Sequence, residues 1–137
     1  IFDILVDVYQ QNLVDAGLIS AELDRLSGRT TGIPVDDPAI DAMFAEAYAG
    51  RHDAFRAALL GARDYVGAGL ARAWRRLTPE RLTYLAFGNA LLAADRDLTG
   101  GKYRETIRES FVWREICSLP PPGRRRVPPW RGGIVRW

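Results

Sequence analysis

Apolar residues fall three and four positions apart in almost every segment of this chain, and that spacing constrains its fold more than any other feature. In "IFDILVDVYQQNLVDAG", Ile1, Ile4, Leu5, Val8 and Tyr9 share one face of a helix, and Leu13 continues the stripe. Gly17 then stands where a helix ends on a left-handed residue. Ser20 precedes "AELDRL", with Glu22 and Asp24 in the first turn, which suits both the exposed amide donors and the helix dipole of a short second helix. "SGRTTGIPVDDP" reads as a connecting loop, and its Asp37-Pro38 pair opens a third helix with Ile40, Met43, Phe44, Ala47 and Tyr48 on one face. "HDAFRAALLGARDYVGAGLARAWRRL" reads as one long helix interrupted by Gly61, Gly67 and Gly69. Each interior glycine costs about 1 kcal/mol relative to alanine, so three of them imply either a kink or close packing.

Thr78-Pro79-Glu80 is a helix-start signal, a capping hydroxyl followed by a proline at the first helical position, and the spacing carries that helix to about Leu98. After "TGG" a last helix follows in "KYRETIRESFVWREI", with Tyr103, Ile107, Phe111 and Ile116 on one face. No segment alternates with period two, and no hairpin turn separates two apolar runs. The expected fold is therefore all-α: a single bundle of five to six helices over residues 1–118, followed by an extended Pro/Arg-rich C-terminal tail over 119–137.

The chain has 137 residues, 47% of them hydrophobic, enough for one domain with a real core. It opens at Ile1 inside an amphipathic run with no charged leader, which reads as a processed chain or a piece of a longer one. Charged residues interrupt every apolar run before it reaches the roughly 18 to 20 residues of a membrane span. The tail holds Arg124, Arg125, Arg126, Arg131 and Arg136 and no acid, so a net charge of +2 overall leaves −3 on the preceding residues. Arg124, Arg125, Arg126, Trp130, Arg131 and Trp137 are accordingly the candidate partner-binding residues. A protein partner is favoured over nucleic acid, because the arginines come without a folded basic groove or a nucleic-acid motif.

Candidate chemistry is sparse. A lone Cys117 and a lone His52, far apart in sequence, argue against a self-contained zinc site, and nucleophilic catalysis is not expected either, since the one His has no serine elbow to serve and Cys117 lies beside a Pro-rich exit. His52 reads as a solvated residue near a helix start, and Trp74 and Trp113, in helical patterns, read as core or partner-facing anchors. In "DRDLTGGKYRET", Asp95, Asp97, Thr99 and Gly100 fit the opening positions of a calcium loop, but the closing bidentate Glu is replaced by Thr106 and the usual apolar residue by Lys102. The preferred reading is a helix end, a Thr-Gly-Gly reversal and a new helix. No cofactor is assigned to this chain.

The stretch "NALLAADRDLTGGKYRETIRESFVWREI" resembles the closing region of the fungalysin-type zinc metallopeptidases, relatives of the thermolysin-like enzymes. Ala94, Asp95, Leu98, Thr99, Gly100 and Gly101 match the family's turn residue for residue, and Ile107, Phe111 and Arg114 follow the spacing of its last helix. The preceding "GLARAWRRLTPE" is similar to the helix that comes before this region in the family. The resemblance runs over about residues 70–116. It departs after Arg114, where Glu115, Ile116 and Cys117 replace a Gly-Leu-Gly-like ending. It implies the helical C-terminal lobe, or a processed fragment, of an extracellular zinc metalloendopeptidase. In that family a His-Glu-x-x-His helix and a further Glu hold the zinc, and none of these residues is present here. No catalytic residue is therefore assigned. Zinc belongs to the parent, and the expected partner is a zinc-bearing lobe. The competing expectation is a non-catalytic helical adaptor docking on a larger assembly through its Pro/Arg tail. A lobe separated from its partner is expected to expose an apolar surface.

Overall fold

Capping chemistry places the first turns where the spacing predicts them. The computed structural model describes residues 1–27 and 37–114, and over these the chain is all-helical. Helix α1 (Phe2–Asp15) buries Ile4, Val8 and Leu13. It ends in a reversal where the Gly17 N–H reaches the Val14 carbonyl at 2.9 Å and the Leu18 N–H reaches that of Leu13 at 2.9 Å. Gly17 takes φ +65° there, a conformation open to glycine at no steric cost, and Leu13 and Leu18 bury together across the turn. Helix α2 (Ala21–Leu26) begins on Ser20, whose Oγ accepts the Leu23 N–H at 3.0 Å. Helix α3 (Pro38–Tyr48) begins on Asp37, whose carboxylate accepts the Ala39 N–H at 2.9 Å.

Helix α4 (His52–Trp74) runs unbroken for 23 residues. Its glycines do different things. Gly69 is buried where α4 meets α5, and a Cβ there would stand 3.4 Å from Leu91 Cδ1, whereas a Cβ on Gly67 would meet open space. Close packing, not a kink, accounts for Gly69.

The start of the next helix corrects the expectation from Thr78-Pro79-Glu80. That signal makes only a single 3-10 turn at Pro79–Arg81, and Thr78 forms no side-chain cap. Leu82 is then extended, and α5 (Tyr84–Thr99) begins on Thr83, whose hydroxyl accepts the Ala86 N–H at 3.1 Å. Of two candidate caps five residues apart, the chain uses the one that satisfies an amide donor. Helix α6 (Arg104–Trp113) follows a turn in which Gly100 and Gly101 both have positive φ.

Helices α1, α4, α5 and α6 form a closed ring of contacts: α1 packs on α4 and α6, and α5 packs on the same two. Between them lies a core of Ile4, Val8, Ala62, Val66, Leu91, Ile107 and Phe111. A second cluster joins Leu13, Leu18, Ile19 and Leu23 to Ile40 of α3 and Phe55 of α4, so α2 and α3 cover one end of the four. No helix among the described residues is long and apolar enough to cross a membrane. The loop expected around Pro34 and the tail expected after Ser118 lie outside the described residues.

Two glycines test this packing in opposite directions. Gly67→Ala should raise the free energy of unfolding by about 0.5–1 kcal/mol, since the new methyl meets nothing and the unfolded chain loses freedom. A Cβ on Gly88 of α5 would stand 3.0 Å from the Phe111 ring. Overpacking of that kind costs about 1–3 kcal/mol, more than the roughly 1 kcal/mol of helix propensity gained, so Gly88→Ala should lower the midpoint in urea. Equal shifts of the same sign for both variants would contradict this arrangement.

Candidate functional site

Two features stand apart from ordinary core and surface: a buried carboxylate at the end of α5, and an apolar end of the bundle. Asp95 follows Leu91 by four positions on the buried face of α5 and is only 1% exposed. Burying a carboxylate costs several kcal/mol unless donors replace its water. Three do so, all at Oδ1: the Tyr65 hydroxyl of α4 at 2.9 Å, the Thr99 hydroxyl at 2.6 Å and the Tyr103 backbone N–H at 3.4 Å. Oδ2 is enclosed with no hydrogen-bond partner among the described residues.

The network continues outward. The Tyr103 hydroxyl donates to Asn12 Oδ1 on α1 at 2.6 Å, and Asn12 Nδ2 donates to the Ala58 carbonyl of α4 at 3.3 Å. The Tyr65 and Tyr103 rings lie 4.4 Å apart, centroid to centroid. The Lys102 ammonium sits 4.8 Å from the Tyr103 ring and pairs with Asp15 of α1 at 2.8 Å. That bond, with help from Gln11, holds the Asp15 carboxyl below its ordinary range, and the same pairing raises Lys102. The Tyr65 phenol is pushed well above its ordinary value, first by burial and then by its hydrogen bond to Asp95 and that residue's charge.

The residues that fit the start of a calcium loop do not converge. Asp95, Asp97 and Thr99 all lie on α5, which is helical through Thr99. Residues two apart on a helix point about 200° apart, and here Asp95 turns into the core while Asp97 turns out to pair with Arg76. Thr99 donates to Asp95 and accepts the Lys102 N–H at 3.0 Å, and these bonds close the turn. No group of three or more His, Cys, Asp or Glu that could hold a metal occurs among the described residues. His52 is exposed at the start of α4, with its ring 4.4 Å from that of Tyr48. Arg124, Arg125, Arg126, Trp130, Arg131 and Trp137, like Cys117, lie outside the described residues.

The second feature is a cleft of about 270 Å³ between the start of α1, the start of α5 and the end of α6, lined by Ile1, Phe2, Ile4, Tyr84, Phe87 and Phe111. Its charged lining is neutralised internally, because Arg114 donates through Nε and Nη2 to Asp3 Oδ2 at 2.9 and 2.7 Å. Around it Phe2 is 73% exposed and Tyr84 77%, with Leu82 and Leu85 also exposed. Trp74 is 61% exposed and meets Phe87 edge-on at 5.9 Å, so it is not a core residue. Helical spacing puts these residues on apolar faces without saying whether anything covers them. Asn12 and Tyr65 carry a weak sequence signal, a polar group continuing a buried stripe.

No family model, curated protein or solved structure matches this chain.

Asp95→Ala removes the acceptor of the Tyr65 hydroxyl and of the Tyr103 N–H, while the Thr99 hydroxyl keeps its bond to the backbone carbonyl at 3.0 Å, and should cost roughly 2 kcal/mol or more, each unsatisfied donor being worth about 1–3 kcal/mol. Asp95→Asn keeps the Oδ1 acceptor and should cost about 1–2 kcal/mol, the difference between bonds to a charged and to a neutral acceptor. Denaturant titration measures both, and an alanine variant within about 0.5 kcal/mol of the parent, the range of a neutral surface change, would remove Asp95 as an anchor.

Tyr65 sets an alkaline limit. Its folded pKa is raised, so its contribution is fully present below the ordinary tyrosine value of about 10 and is lost as pH rises above it. Tyr9, raised by burial and then by Tyr48, has the same sign. The melting temperature should fall above about pH 10, and Tyr65→Phe should lower it at neutral pH while making the alkaline fall shallower. An unchanged alkaline slope in that variant would assign the loss to other groups.

Proposed function

We propose that this chain is the helical C-terminal lobe, or a processed C-terminal fragment, of a zinc metallopeptidase-like protein, packing against a zinc-bearing lobe and shaping one wall of its substrate cleft. The observation that carries the reading is the apolar end: Phe2 and Tyr84 lie exposed on a cleft walled by Phe87 and Phe111, the exposed Trp74 meets Phe87 edge-on, and Leu82 and Leu85 are exposed on either side of Tyr84 in the chain. Aromatic and aliphatic residues gathered at one end of a small domain suit a face that another folded unit covers. The residues that match the metallopeptidase ending are also those that join α5 to α6. Asp95 anchors the turn, Gly100 reverses it at φ +74°, and Ile107 and Phe111 seat α6 in the core. They are packing residues, and the kinship they suggest is one of architecture. Zinc and the groups acting on its bound water would come from outside this chain, so no step of hydrolysis is assigned to any residue here.

Intact mass and peptide mapping of the protein from its natural source test this directly. The expected result is an upstream segment carrying His-Glu-x-x-His that either continues into Ile1 or stays bound to this chain. If the gene supplies only a leader ahead of Ile1, the peptidase reading fails and the helical adaptor takes its place.

The apolar end has its own test in the isolated chain. Phe2→Ser with Leu85→Ser should cut binding of a hydrophobic dye several-fold and leave the melting temperature within about 2 °C, because both side chains are exposed. A chain that is monomeric, binds no dye and retains no companion would count against a covered face.

A further inference from the structure

We draw no further inference here: the strongest candidate, the groove between the end of α4 and α5 lined by Leu77, Ala86, Asn89, Ala90 and Ala93, is a stripe of small residues with nothing in the structure to show what covers it.

Discussion

The arrangement of the four long-contact helices depends on one carboxylate oxygen. Asp95 Oδ1 accepts from α4 through Tyr65, from its own helix through Thr99 and from the entry to α6 through the Tyr103 amide. Tyr103 then carries the link to α1 through Asn12. A buried charge with these donors in place is tolerable, whereas the same charge with one donor missing is costly. Sliding α5 along α4 by one residue would turn Asp95 about 100° away from Tyr65. An apolar residue at this position could pack in several registers, but the carboxylate has partners in only one. The network therefore contributes to which bundle forms as much as to how stable it is.

Local chemistry made much of the fold legible. Ser20, Asp37-Pro38 and Gly17 each satisfy or release backbone groups within a few residues, so their meaning does not depend on the rest of the chain. The stripes of α1 and α6 were legible for the same reason, since a face with Ile4 and Val8, or with Ile107 and Phe111, has to be buried somewhere. The start of α5 was not, because Thr78 and Thr83 offer competing caps and the path of the chain leaving α4 decides between them. The metal-like spacing of Asp95 and Asp97 misleads in a related way. Loop spacing has meaning only in a loop, and α5 continues through both residues.

What the spacing leaves open is the difference between a buried face and a face awaiting a partner. Trp74 and Phe87 sit in equally good helical patterns and touch edge to edge, yet Phe87 packs on the core while Trp74 projects into solvent. Their side chains would fill a core equally well, and only the positions of the other helices separate them. The same holds for Phe2 and Ile4, two residues apart on α1 and on opposite sides of it. Sequence periodicity identifies apolar faces, and three-dimensional packing reveals which of them no described helix covers.

The polar anchor and the apolar end also constrain each other. Tyr84 and Asp95 are eleven residues apart on α5, about 16 Å along its axis. An anchor at one end of a helix fixes its register but leaves an angular looseness that grows with distance. At the far end that looseness is limited by shape. Gly88 lets the Phe111 ring approach α5 so closely that an added Cβ would stand 3.0 Å away, and Phe87 closes on the same ring at 6.4 Å between centroids. The Asp3–Arg114 pair joins the first turn of α1 to the end of α6, but exposed ion pairs are worth at most about 1 kcal/mol, so it orients more than it stabilises. With register set at Asp95 and tilt set at Gly88 and Phe111, the walls of the apolar cleft are positioned by contacts within the bundle itself.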